Sequence, residues 1–282
     1  MLRLGIRGHD VPVTGTFEDW VGAIADRGFC CTQLALKKAV KQFYVGTDAM
    51  TSGMAMYMRN VFAEKKVNVS VLGCYLNVTT PDEEEWKAVK NTYEAHLRFA
   101  KFLGCGMVGT ETGAMNKNYA PGPENRTEAA LEKLISRVKE LTDIAEKFGV
   151  CLGIEPVVRH NMYNIERTKK VVDAVASPNL RVILDAVNLL DVTNSDKQSE
   201  IFEEAFDLLN DHIDVLHIKD FVKAGETLRT TDLVVGEGEL DLARILKYAK
   251  TKKPCIEILI EDSNPGNIMA SKANIEKLYA SL

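Results

Sequence analysis

The chain has 282 residues, 46% hydrophobic and 27% charged, with 35 Lys and Arg against 40 Asp and Glu for a formal net charge of −5. That is ordinary globular material, enough for one large barrel and short for two full domains. The acidic balance offers no basic face to a nucleic acid, the opening MLRLGIRGHD lacks a signal-peptide core, and no apolar run approaches the roughly 18 residues of a membrane span. A cytoplasmic protein without nucleic-acid or membrane partners is expected.

Along the chain, short apolar or alternating runs take turns with segments of helical period. Strands are expected near residues 2–7, 31–36, 67–74, 106–111, 150–155, 180–185, 213–218 and 255–261. Helices are expected near 17–28, 50–64, 82–103, 126–148, 165–176, 197–210, 240–249 and 271–281. Thr80-Pro81-Asp82 puts a cap residue and a proline before an acidic first turn, and Gly104 closes the helix that follows. Gly149 separates helix from strand in KFGVCLGIE, the connection used between the units of a parallel α/β protein. Repeated βα units with no composition break or linker predict the α/β class, as a single (β/α)8 TIM-barrel domain over residues 1–282.

The longer connections follow strands two (37–49), four (112–125) and seven (219–239), on the side where such a barrel builds its active site. The segment TGAMNKNYAPGPEN carries turn formers and no apolar period, which suits a loop over the site. Cys30 and Cys31 are adjacent, and Cys74, Cys105, Cys151 and Cys255 are scattered without CxxC spacing, so buried reduced thiols are expected. A GxGxxG match at 104–109 leaves a helix and enters a strand, the reverse of the dinucleotide arrangement, and an SxxK match at 136–139 lies within an amphipathic helix. Neither carries chemistry.

Four strand-like segments end in hard ligand residues: Glu155 in CLGIEPV, Asp185 in RVILDAVN, His217 in DVLHIKD and Glu261 in IEILIEDS. One acidic residue at a strand end commonly caps the next helix. Four in register, one of them a histidine, converge near a barrel axis and suit one divalent metal ion, Mn, Mg, Co or Zn. The last member stays open, because Glu257 and Glu261 share a strand face and differ in depth, with Glu261 nearer the carboxyl end. Asp262 falls outside the barrel or in the loop.

The phrases LGIEPV, VILDAVN, LHIKDF and LIEDS, with VVGEGELDLARIL before the last strand, resemble the sugar phosphate isomerase and epimerase proteins of the xylose-isomerase-like TIM-barrel superfamily. The resemblance runs from GIRGHD to the final strand. In its ketose 3-epimerases, one divalent metal is held by Glu, Asp, His and Glu from consecutive strands, and the two glutamates also shuttle protons. By position these are Glu155, Asp185, His217 and Glu261, with Glu155 and Glu261 catalytic. The resemblance implies a small carbohydrate substrate, free or phosphorylated, and proton transfer through a metal-stabilised enediolate. It also implies a homo-oligomer, although no interface signature stands in the sequence.

Substrate contacts are expected from His9 after strand one, Glu111 at the end of strand four, His160 beyond Glu155, Asn188 and Lys219. His9 and Asp10 are equally consistent with a solvent-facing loop, and Glu111 with helix capping or with positioning His160. Asn188 stands where the ketose 3-epimerases place a substrate-touching histidine, a departure that argues against copying their substrate range. Lys223 corresponds to an arginine of those enzymes and equally suits a solvated loop.

Three rival readings accompany the isomerase or epimerase. A lyase or dehydratase acting on a keto-polyol or keto-glycoside shares the first step and differs in which bond aligns with the base. An apurinic-site endonuclease needs a cluster of zinc ions and many imidazoles, against only His9, His96, His160, His212 and His217 here. A non-catalytic binding barrel has no use for four intact ligand positions.

Overall fold

The computed structural model describes residues 1–12 and 15–282. Its strands are β1 (Arg3–Arg7), β2 (Cys31–Leu34), β3 (Asn68–Gly73), β4 (Met107–Glu111), β5 (Cys151–Glu155), β6 (Leu180–Asp185), β7 (Ile213–Ile218), β8 (Val222–Ala224), β9 (Thr227–Arg229) and β10 (Glu257–Ile260). All but β8 and β9 close a parallel barrel in the order β1-β10-β7-β6-β5-β4-β3-β2. The helices are α1 (Phe17–Asp26), α2 (Leu36–Ala39), α3 (Ser52–Glu64), α4 (Glu83–Leu103), α5 (Glu128–Phe148), α6 (Ile165–Val175), α7 (Gln198–Leu209), α8 (Leu242–Thr251) and α9 (Ile268–Ser281). This is a single TIM barrel. Among the described residues no helix is long and apolar enough to cross a membrane.

The local signals act as their chemistry dictates. Asp82 accepts from the backbone N–H of Glu84 and Glu85 at the start of α4, and Thr127 accepts from Ala130 at the start of α5. Both helices end on a left-handed glycine, Gly104 at φ 79° and Gly149 at φ 66°, a conformation that costs other residues.

Two elements depart from the sequence expectation. The connection after β7, expected as open loop, contains the antiparallel hairpin β8–β9 turning at Gly225, and α2 forms within the connection after β2. Both are too short to show a period. Asp220 ties the end of the β7 connection back to its start, accepting at 2.7–3.0 Å from the backbone N–H of Phe221, Gly236, Gly238 and Leu240. The cysteines are all free, but Cys255 is exposed rather than buried, and Cys30 and Cys151 are half-buried.

Side chains alternate along a strand, so residues two apart stack on one face. Cys31, Val71, Met107, Ile183, Val215 and Leu259 form an apolar layer inside the barrel. Gly109 and Gly153 make room for it: a Cβ on Gly109 would collide with Val71 and come within 2.9 Å of Ile183, and one on Gly153 would collide with Met107. A second, larger apolar cluster, including Trp20, Tyr93, Leu134 and Phe202, packs the strands against the helices. Beyond the inner layer, toward the carboxyl ends, stand Gln33, Glu111, Glu155, Asp185, His217 and Glu261. Two residues back along β10 from Leu259 is Glu257, which pairs with Arg3 at 2.7 Å and accepts from Ser70.

Filling the glycine gap overpacks the inner layer. Gly109→Ala is expected to lower the melting temperature by roughly 3–10 °C in a circular-dichroism melt. Gly106→Ala, where a Cβ meets nothing within 4 Å, is the control and keeps the parent value. Equal melting of the two variants contradicts this packing.

Candidate metal centre

Strand register delivers the four ligand candidates to one place. Asp185 pairs with His217 across β6 and β7, His217 with Leu259 across β7 and β10, and Glu111 with Glu155 across β4 and β5. Glu261 lies one residue past β10, its N–H donating to Ile218 O at 2.9 Å and so extending the ladder. Glu155, Asp185, His217 and Glu261 are all buried, and one ligand atom from each lies within 4.8 Å of the others. Glu257 belongs to the opposite end of the barrel with Arg3 and Ser70.

Each carboxylate is braced with part of its coordinating capacity left over. Asp185 Oδ1 accepts from the N–H of Val187 at 2.9 Å and of Asn188 at 3.1 Å. Glu155 Oε1 accepts from Asn188 Nδ2 at 2.7 Å, and Glu155 Oε2 from the Tyr75 hydroxyl at 3.3 Å. Lys219 donates to Asn188 Oδ1 at 2.8 Å and forms an ion pair with Asp185 Oδ2 at 2.8 Å. Arg7 lies 3.6 Å from Glu261 Oε2 while holding Asp10 and Asp262 at 3.0 Å each. His217 Nδ1 is 3.1 Å from Glu261 Oε1, yet neither ring nitrogen has a hydrogen-bond partner of good geometry. Buried polar atoms are normally satisfied. An imidazole whose nitrogens have no hydrogen-bond partner among the described residues, set among three buried carboxylates, therefore fits a divalent cation.

The electrostatics agree. Burial pushes Asp185 up to about 6, against the pull of Lys219. Burial also opposes charge on His217, but Glu261 and Glu155 outweigh it and carry its pKa up to about 9. Glu261 lies below the usual glutamate value: burial opposes this, and His217, Lys219 and Arg7 overcome it. Glu111 is pushed up to about 7 by burial and by the charge of Glu155.

A cavity of about 540 Å³ opens beside the cluster, lined by Glu111, Glu155, Glu261, Arg7, Gln33 and Tyr75, and it runs outward to His9, Lys37 and Lys38. Of the residues expected to touch substrate, His9 and Glu111 line this cavity. Asn188 and Lys219 instead face the carboxylates of the cluster. His160 is buried behind Glu111, its Nδ1 3.3 Å from Glu111 Oε2 and its ring edge-on to Tyr119 at 4.8 Å. Lys223 pairs with Asp196 at 2.6 Å on the surface. Sequence reasoning missed Arg7, Gln33 and Tyr75. Arg7 ends β1 and Gln33 sits one residue before the end of β2, so the rule that found Glu155 would have found both had it been applied to every strand.

In the metal-free protein the folded pKa of His217 lies above its ordinary 6.5, so the protonated ring stabilises the fold below pH 6.5. That contribution is lost as the pH rises through about 9. Melting temperature measured after chelation is expected to fall across this window in the parent and not in His217→Gln. The same fall in both would remove His217 as its source.

The sequence matches the family described as xylose isomerase-like TIM barrel over residues 21–280. No curated protein matches the chain by sequence. Among solved structures, a D-tagatose 3-epimerase-like protein is similar at 20% identity and a TM-score of 0.76, over 99% of this chain and 97% of that one. The 3-keto-D-glucoside 4-epimerase YcjR of E. coli, in its apo form, is similar at 12% identity and 0.76, over 99% and 100%. The IOLI protein with a binding zinc atom is similar at 15% identity and 0.75, over 99% and 97%. At these identities the likeness is one of fold, whereas the family match covers nearly the whole sequence: the chain belongs to the xylose isomerase-like TIM-barrel family.

Proposed function

We propose that this protein is a divalent-metal-dependent isomerase or epimerase of a small carbohydrate, with Glu155, Asp185, His217 and Glu261 as the metal ligands and Glu155 and Glu261 as the proton carriers. The observation that carries the reading is the buried four-residue cluster opening onto a cavity at the carboxyl end of a barrel of this family. An epimerase and a zinc-bound protein among the similar structures support it. The six free cysteines suit a reducing, cytoplasmic setting.

A divalent ion held by the cluster, Mn, Mg, Co or Zn, supplies Lewis acidity that draws charge from a substrate carbonyl and its neighbouring hydroxyl. The chain's own residues do the rest. Glu155 and Glu261 come from strands separated by β6 and β7, so they approach a bound sugar from different sides. One removes the proton on the carbon beside the carbonyl. Return by the other to the opposite face inverts that carbon, and delivery to the adjoining carbon isomerises the sugar. Asn188 and Lys219 orient Glu155 and Asp185, and Glu111 and His9 offer contacts to substrate hydroxyls. His160 and Tyr119 fix Glu111.

One observation favours elimination as a second reading. Glu111, in the same cavity, is pushed up to about 7 and so holds a proton near neutral pH that a leaving hydroxyl can take.

Purified protein is expected to hold about one divalent ion per chain by elemental analysis, lost in the Glu155→Gln/Asp185→Asn variant. Incubation with ketoses in deuterated solvent is expected to place deuterium on a carbon next to the carbonyl. Glu261→Gln should lower that rate by about 10²–10⁴-fold. Metal-free parent protein, or exchange that survives loss of both glutamates, defeats the proposal; a dehydrated product establishes the second reading.

A further inference from the structure

We propose that the outer arm of the cavity is a subsite for a terminal anionic group, a phosphate ester or a carboxylate, carried by the sugar whose reacting end meets Glu155 and Glu261. This rests on the carbohydrate reading of the site and narrows its substrate class.

Charge separates along the cavity. The carboxylates that line it, Glu111, Glu155 and Glu261, belong to the strand ends at the metal cluster, whereas Lys37, Lys38 and His9 line its outer arm. Arg7 lines the wall between them with its charge already taken up by Asp10, Asp262 and Glu261. Neither Lys37 nor Lys38 has a carboxylate within ion-pair distance among the described residues, and the nearest polar neighbour of Lys38 Nζ is His9 Nε2 at 3.5 Å. Asp48, the closest acidic residue in sequence, accepts from the Tyr44 hydroxyl at 2.9 Å and does not line the cavity. Both ammonium groups are exposed and, among the described residues, uncompensated by any carboxylate, so they are free to meet an anion that enters the cavity.

A second observation points to a ligand. Gln33, only 2% exposed, lines the cavity with Oε1 lacking any hydrogen-bond partner, and His9 Nδ1 is likewise buried and unpartnered. Such atoms are costly unless something binds them. Gln33 Oε1 accepts only, which suits a sugar hydroxyl. The His9 ring, held neutral by burial and by the charges of Arg7 and Lys38, can donate one N–H to an anion oxygen. A cavity lined by the metal cluster's carboxylates, a hydroxyl acceptor and basic side chains matches a sugar with an anionic terminus. A volume of about 540 Å³ lies within the range of small-ligand sites.

The test is calorimetric and needs no turnover. Glucitol, glucitol 6-phosphate and gluconate, three unreactive polyols of the same carbon length, are titrated into the purified parent, into Lys37→Gln/Lys38→Gln and into Glu155→Gln/Asp185→Asn. An anionic polyol is expected to bind the parent about tenfold tighter than glucitol, with the advantage shrinking as salt rises. The lysine variant should lose that advantage while its glucitol affinity stays the same. The cluster variant should keep it, so that failure of the metal site and failure of the basic arm read differently. Tightening by glucitol 6-phosphate alone assigns a phosphate ester, by gluconate alone a sugar acid, and by both a general terminal anion. Absence of binding by either anion, equal binding of all three, or an advantage that survives in the lysine variant overturns the proposal.

Discussion

Three carboxylates forced into the same buried space are the constraint to which the surrounding structure answers. At 4.8 Å, the spread of the ligand atoms, two unit charges repel by roughly 3–4 kcal/mol even at an effective dielectric of about 20. Glu155, Asp185 and Glu261 also lose their water. The chain supplies two permanent counter-charges, Lys219 beside Asp185 and Arg7 near Glu261, and takes up a proton on His217 as a third. These offset the repulsion enough for folding and leave inward-facing ligand atoms unsatisfied. A divalent cation relieves both deficits at once, because it displaces the imidazole proton and brings two charges to the point where the repulsion is greatest.

The barrel makes that crowding possible because its strands are rigid below the site. The apolar layer of Cys31, Val71, Met107, Ile183, Val215 and Leu259 fills the axis, and Gly109 and Gly153 let the bulky members meet. Two positions beyond Ile183, Val215 and Leu259 stand Asp185, His217 and Glu261, and all three join the cluster. Glu257 and Glu261 illustrate the division on one strand: they share a face with Leu259 between them, yet Glu257 joins Arg3 in a pair that closes the bottom of the barrel while Glu261 joins the cluster. Depth along a strand separates a stabilising carboxylate from a chemical one.

Depth, unlike period, is hard to read from sequence. The alternation of strand and helix patterns was legible because it is local, and strand ends fell within two residues of expectation because glycine stops and buried runs punctuate them. Glu155, Asp185 and His217 were legible for the same reason, being charged or polar residues that terminate apolar runs. Arg7 was legible only as a polar strand end and Tyr75 not at all, since each gains its meaning from a partner on another strand, Glu261 for one and Glu155 for the other. Lys219 and Asn188 were legible as polar residues near the site but not as braces, because only the closed barrel turns them toward Asp185 and Glu155. The hairpin β8–β9 lies on the surface, where its three-residue strands need no apolar face to announce them.

The two glutamates proposed to carry protons do not sit in equivalent surroundings. Glu261 is ringed by cationic groups, His217, Lys219 and Arg7, which favour its ionised form. Glu155 has neutral donors instead, Asn188 on one oxygen and Tyr75 on the other, with the carboxyl group of Glu111 on the adjoining strand. A carboxylate held ionised by neighbouring cations stands ready as a base. On the proposed reaction Glu261 is therefore the carboxylate poised to act as base.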